Sequence, residues 1–315
     1  MFSSQPVRDR CCRKLALWAL AAMVPAALQA AEPVRLTRDG AFKQHLAWSP
    51  DGRQLLYTAH HGKNTWLMLW SDAQSPARRL SRESAVEMYP HWSPDGKRFV
   101  YVMFKFASTQ GNMEIFSAAA DGSDPKFITG DQDGKLSHEE SPAWSPDGKR
   151  IVFVSTSDGN QDLYLCDVNG SNRVRVTQDS AIDTHPVWSP DGKKIVFATS
   201  RWGDLEIASI NVDGTGLRRL THSRGVDDFP TCSPDGKHIA FVSHRDGNFE
   251  IYVMGAEGGT PVNVTQNPEI DNFPAWTPAG KLSFVSNRAR KFDVYLLPDW
   301  EEIHRPPAAV AGPSR

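Results

Sequence analysis

Six residues stand five positions before a recurring W-S-P-D-G stretch: Lys43, Glu87, Glu139, Asp183, Asp227 and Asp271. All but Lys43 are acidic. Carboxylates held at one slot of a repeat would be gathered into a ring, and such a ring of oxygen ligands suits a hard cation, Ca2+ first among them. The same ring could steer a basic partner segment by its field. Lys43 interrupts it and argues against a symmetric metal site. A structural reading competes, because a repeat copies structural residues as faithfully as functional ones. In that reading each carboxylate accepts backbone N–H groups or pairs with a neighbouring repeat.

A second group follows the second strand of each repeat and includes His60, His61, Arg201, Trp202, His244, Arg245 and Arg288. Arg and aromatic side chains are favoured at protein interfaces. Arg201, Trp202, Arg245 and Arg288 are therefore expected to surround an acidic mouth made by Glu87, Glu139, Asp183, Asp227 and Asp271, together forming a partner-binding face. Ordinary loop charge is the competing reading, and Arg245 could simply pair with Glu250 across its own hairpin. His45 and His185 share the slot three residues before the stretch, with His91 two positions further along its own strand. These are the candidate metal ligands, although they match no recognised ligand spacing. No G-x-S-x-G elbow, P-loop, dinucleotide fingerprint or EF-hand loop occurs. The chain is thus read as a binding protein rather than an enzyme, with a metal-assisted lyase or hydrolase using a central channel as the alternative.

The elements that must position these residues are written in the repeat. The stretch begins at Trp48, Trp92, Trp144 and Trp188, with Cys in place of Trp at Cys232, and reads W-T-P-A-G at Trp276. The gaps are 44, 52, 44, 44 and 44 residues, a period that suits a four-stranded propeller blade. Pro presets φ for a tight turn and Gly takes the left-handed conformation that closes it. An apolar strand follows, such as Ile195-Val196-Phe197-Ala198. Next comes a strand opened by a carboxylate (Asp162, Glu206, Glu250), then a turn, then a short strand ending in Thr (Thr177, Thr221, Thr265). Each unit therefore holds four strands and three turns.

Val34 to Thr37 reads as a fourth strand with no unit before it, while the last unit stops after its third strand at Leu297. The N-terminal strand is thus expected to complete the last blade and close the ring, which removes exposed sheet edges. The fold class is all-β, a six-bladed propeller over residues 31–297, expected to be a monomer. The long gap holds two insertions, Lys105 to Asn112 and Gly130 to Glu140, which fall on one face of one sector. Extra loop length there points to binding.

Residues 1–30 read as a secretory signal peptide, with Arg8, Arg10, Arg13 and Lys14 before an apolar run from Leu15 to Leu28. Without this segment the formal charge goes from −2 to about −5, which argues against nucleic acid as a partner. No other segment could span a membrane. Cys166 and Cys232 fall in different units and read as small buried apolar residues. Residues 298–315 read as a loose Pro- and Ala-rich tail.

D-x-x-P-x-W-S-P-D-G-K, followed by I-V-F-x-S, E-I-Y, D-G and R-L-T, resembles the six-bladed propeller of the TolB family, periplasmic components of the Tol-Pal system. The clearest matches are Asp183 to Lys193, Asp227 to Lys237 and Asp271 to Lys281, and the resemblance covers roughly residues 33 to 297. It implies a periplasmic or secreted scaffold that binds an envelope protein or peptidoglycan-associated factor. The extra α/β domain that precedes the TolB propeller has no counterpart in this sequence, so contacts made by that domain are not expected.

Overall fold

The computed structural model describes residues 32–81, 86–105, 112–130, 137–297 and 300. The signal segment, the tail from 301, and the centres of both insertions lie outside the described residues. The rest forms six four-stranded antiparallel sheets, each in the order innermost to outermost. The innermost strands are Phe42–Trp48, Val86–Trp92, Glu139–Trp144, Asp183–Trp188, Asp227–Cys232 and Asp271–Trp276. Each starts at or near the charged slot and ends at the anchor residue.

The turn chemistry is repeated almost unchanged. In blade four the Ser189 hydroxyl donates to Asp191 Oδ1 (2.6 Å), the Lys193 N–H donates to the same oxygen (3.1 Å), and the Gly192 N–H donates to the Ser189 carbonyl (2.8 Å). Gly192 has φ 69°, the left-handed region where a side chain is disfavoured. The sixth blade has Ala279 at the Asp slot and therefore lacks the carboxylate bonds.

The core lies between blades. Ile195 and Phe197 of blade four pack on Val152, Val154, Leu163 and Leu165 of blade three, all buried. The anchor Trp caps this layer and staples it to the blade before. The indole N–H of Trp92, Trp188 and Trp276 donates to the carbonyls of Ala47, Ala143 and Thr231 at 3.1, 3.0 and 3.2 Å. A buried indole N–H left unpaired would cost about 1–3 kcal/mol.

The N-terminal strand Val34–Arg35 pairs antiparallel with Asp293–Leu297, Val34 opposite Leu296 and Arg35 opposite Tyr295. It therefore supplies the fourth strand of blade six, as the sequence predicts. Among the described residues no helix is long and apolar enough to cross a membrane.

Candidate functional site: the axial channel

The charged slot lies inside the wall of the ring. Lys43, Glu139, Asp183, Asp227 and Asp271 are 0% exposed and Glu87 is 5% exposed. Strand alternation explains this. Asp183 faces Thr199 across the strand pair, on the same sheet side as Phe197 and Ile195, which is the side turned to blade three.

Three of the carboxylates, Asp183, Asp227 and Asp271, are taken by the very arginines expected to surround them. Arg201 binds both oxygens of Asp183 in a fork, Nη2 to Oδ2 at 2.8 Å. Arg245 Nη2 donates to Asp227 Oδ2 (2.8 Å) and the Ser243 hydroxyl to Oδ1 (2.6 Å). Arg288 Nη2 donates to Asp271 Oδ2 (2.7 Å). Each guanidinium also lies over a ring of its own blade, Arg201 over Phe197, Arg245 over Tyr252 and Arg288 over Phe284. Blade three has Ser157 at the Arg slot, and Arg173 reaches Glu139 instead, Nη2 to Oε1 at 3.2 Å. Glu250 bonds to Thr265, Asn248 and the Asn267 N–H, not to Arg245.

In place of the open acidic mouth expected from the sequence, Glu139, Asp183, Asp227 and Asp271 form ion pairs inside the blades, and Glu87 is buried there too. Asp271 shows the cost of this burial: its carboxyl is pushed up to about 6 despite Arg288. Trp202 differs from the arginines. It stands 38% exposed on the loop face, with Arg219 over its ring.

What reaches the channel is the slot three residues before each anchor: His45, Tyr89, Ser141, His185, Phe229 and Phe273. All six have φ between 48° and 55°. Each sits at a register shift of the innermost strand, for example between Thr184 and Val187. An extra residue in a bulge re-aims its side chain, and here six bulges turn six side chains inward. The rings form a floor across the channel. Centroids are 3.8 Å apart for His45–Tyr89, 4.0 Å for His185–Phe229, 4.6 Å for Phe229–Phe273 and 5.5 Å for His45–Phe273.

On the loop side of this floor stand two carboxylates that the sequence reading passed over. Asp228 Oδ1 lies 2.7 Å from His185 Nδ1 and accepts the Phe229 N–H at 2.7 Å. Glu140 is half-buried, and that desolvation raises its pKa while His185 and His138 oppose the rise. The Tyr89 phenol is raised too, by burial first and then by the charges of Glu140 and Asp228. These four side chains therefore share one electrostatic neighbourhood. No Arg or Lys pairs with Glu140 among the described residues. Ile182 and Ile270, each one residue before the charged slot of its strand, stand 46% and 38% exposed.

The histidines do not converge. His45 is held well below its ordinary value, first by burial and then by His185 and His60. His91 lies nearer the turns, its Nδ1 3.2 Å from the Trp144 backbone N and 3.0 Å from the Trp92 carbonyl. Burial lowers it to about 4. Among the described residues no three His, Cys, Asp or Glu side chains come together in a ligand set.

On the other side of the floor is a cavity of about 390 Å³ that runs to the S-P-D-G turns. Its wall is built from anchor tryptophans, the prolines two residues before them, and the turn prolines Pro50, Pro94 and Pro146.

Comparison with known proteins agrees with this geometry. A family model described as the TolB beta propeller domain matches residues 133–227, and one described as the Tricorn protease N-terminal beta propeller domain matches residues 203–295. The Tol-Pal system protein TolB of Thioalkalivibrio sulfidiphilus is 33% identical over 86 residues, 26% of this chain. That stretch spans 19% of the relative's length. A putative TolB from Agrobacterium tumefaciens superposes with a TM-score of 0.64 at 23% identity, covering 84% of this chain and 96% of that one. TolB from Acinetobacter baumannii gives 0.60 at 24% identity, over 83% and 65%. An oligogalacturonate lyase from Vibrio parahaemolyticus gives 0.56 at 14% identity, over 83% and 92%. At these identities the solved structures speak for the fold alone.

Proposed function

We propose that this chain, a TolB-like six-bladed propeller, is a binding module of the bacterial cell envelope that receives a partner at the loop-face mouth of its channel. The partner is an envelope protein or a peptidoglycan-associated factor, and the chain works in the periplasm after export. One observation carries this reading. The repeated charges are spent inside the wall, whereas the non-repeated residues at the channel, Glu140, Asp228, Tyr89 and His185, form a half-buried acidic cup with an aromatic floor. Aromatic anchors ringed by contacts that exclude water concentrate binding energy at interfaces, and the two carboxylates favour a partner that presents a basic side chain.

A photo-crosslinking residue at Trp202, Ile182 or Ile270 tests this in cells that export the protein. The expected result is an adduct to an envelope component, lost when Glu140 and Asp228 are both changed to Lys. Adducts formed equally well by that variant would count against the cup.

The alternative, a metal-assisted lyase or hydrolase, is favoured by a single observation, the Asp228–His185 contact beside His45. Elemental analysis of protein purified without chelator tests it. A stoichiometric transition metal lost in His45→Ala and His185→Ala would raise this reading above the scaffold.

A further inference from the structure

The cavity on the turn face is separated from the cup by the aromatic floor, and its chemistry is different. Tryptophans and prolines dominate its wall, and no Asp, Glu, Lys or Arg lines it. Burial keeps His45 and His91 uncharged at neutral pH. An ion placed here would lose its hydration, with no carboxylate, ammonium or guanidinium in the wall to replace it. The cavity therefore selects against charge.

Its bottom is made of rings. His45, Tyr89, His185, Phe229 and Phe273 line it from the floor, and successive centroids around the channel are 3.8, 6.3, 4.0, 4.6 and 5.5 Å apart. The cavity is thus a funnel whose mouth lies among the turn prolines Pro50, Pro94 and Pro146. Aromatic molecules gain from stacked or edge-to-face contact with such rings. The volume of about 390 Å³ is more than twice that of a cavity of about 150 Å³ that takes up benzene.

The wall offers few hydrogen bonds. Proline brings no N–H. The hydroxyls of Ser93 and Ser145 are spent on Asp95 and Asp147 inside the turns. The indole N–H groups of Trp92, Trp188 and Trp276 are spent on the preceding blades. His91 departs from this pattern. The other blades carry Ala47, Ala143, Val187, Thr231 and Ala275 at its position. Its Nδ1 is held by the Trp144 N–H and the Trp92 carbonyl, whereas its Nε2 has no partner among the described residues. An uncharged imidazole presents one N–H or one lone pair at that nitrogen, whichever tautomer it takes.

We infer that the funnel is a binding site for an uncharged aromatic molecule of two or three rings, which enters from the turn face and gives a single polar group to His91. The floor then divides two sites of opposite preference. The cup above it favours a cation on a partner, and the funnel below it takes a neutral ring system. This second site stands whether or not the cup receives a protein.

The probe is 2-naphthol, uncharged at pH 7, titrated into the purified chain by calorimetry. Saturable one-to-one binding is expected, with a Kd on the order of 0.1 mM. The same ring system bearing a carboxylate, 2-naphthoate, should bind at least about tenfold more weakly. His91→Ala restores the small residue common at this slot. It should weaken 2-naphthol about fivefold and leave naphthalene unchanged. A change of both Glu140 and Asp228 to Lys should not alter either affinity. A crystal of the 6-bromo-2-naphthol complex should show the bromine inside the funnel. The inference is overturned if 2-naphthol shows no saturable binding below about 1 mM. It is equally overturned if 2-naphthoate binds as well, if His91→Ala weakens both neutral compounds alike, or if the bromine lies in the cup or on the outer surface.

Discussion

The interface between blades three and four and the one that closes the ring between blades six and one do the same job with different charges. At the first, Asp162 and Asp183 approach each other, and each is neutralised by an Arg of its own blade, Arg175 and Arg201. At the closure, Lys43 stands where the other blades have a carboxylate and reaches Asp293 of blade six directly, Nζ to Oδ1 at 3.3 Å, with Asp39 as a second partner. His61 holds the slot that in blades four and five carries Arg201 and Arg245. The outer bonds are kept unchanged. Arg35 and Thr37 bind Asp293 at 2.5 and 2.8 Å, as Arg175 and Thr177 bind Asp162 at 2.6 and 3.2 Å. The staple is kept by relay: Trp48 donates to the Ser283 hydroxyl, which donates to the Ala275 carbonyl. A regular interface joins blades whose chain is continuous. The closure is continuous too, from Val34–Arg35 into Phe42–Trp48, and the break in the chain lies inside blade six, between Val34–Arg35 and Asp293–Leu297; the buried Lys43 adds a direct bond to Asp293 on the far side of that break.

Breaking that cation should have the largest effect. Lys43→Asp leaves uncompensated negative charge around Asp293 and is expected to cost about 3–5 kcal/mol. The thermal midpoint should fall by roughly 10 °C or more. Hydrogen exchange should rise first at Val34–Leu36 and Val294–Leu297. Adding His61→Arg rebuilds the regular pattern and should recover about 1–3 kcal/mol, a coupling that a double-mutant cycle measures. If the pair proved additive, the equivalence of the two interfaces would be wrong.

Next comes pH. His45 and His91 are held below 6.5 in the fold, so the unfolded chain binds more protons as the pH falls from about 6.5 towards 4. Stability contributed by keeping these rings neutral is therefore lost over that window. Asp271, raised to about 6, and Glu140 and Asp162, both raised by burial, act in the opposite direction there, because their native forms bind the extra proton. His60 is lowered as well, and with His45 held well below its ordinary value and His91 at about 4 the imidazoles carry the larger shifts, so melting should be lower at pH 5 than at pH 7.5. Asp271→Asn removes its opposing contribution and should steepen the fall.

The smallest change sharpens the closure itself. Tyr57 occupies the slot of Phe153, Phe197 and Phe241, and its hydroxyl is buried with no partner. Tyr57→Phe should raise stability by about 1 kcal/mol, read as a higher midpoint.

The fold was legible because the repeat writes it out. Trp-Ser-Pro-Asp-Gly fixes the turn, the 44-residue period fixes the blade, and the stray Val34–Thr37 strand fixes the closure. The site was less legible for a geometric reason. Neighbouring residues of a strand point to opposite sides, so choosing Asp227 over Asp228 moved the expected mouth into the wall. A signal was present all the same. Asp183, Asp227 and Asp271 occur in the repeats that also carry Arg201, Arg245 and Arg288, and Lys43 occurs in the repeat with His61, as paired charges would. The inward-turned slot gave no such sign. Its left-handed residues are His, Tyr, Ser and Phe rather than Gly, and only the bulge reveals where they point.

The most direct test of the division between wall and channel is the thermal midpoint of two isosteric variants, Asp227→Asn and Glu140→Gln. Asp227→Asn removes the charge that Arg245 and Ser243 bind and should cost about 1–3 kcal/mol, a fall of several degrees. Glu140→Gln removes a desolvated carboxylate that no Arg or Lys pairs with among the described residues, and should leave the midpoint unchanged or slightly higher. The reverse order, a stable Asp227→Asn protein and a destabilised Glu140→Gln protein, would contradict the account.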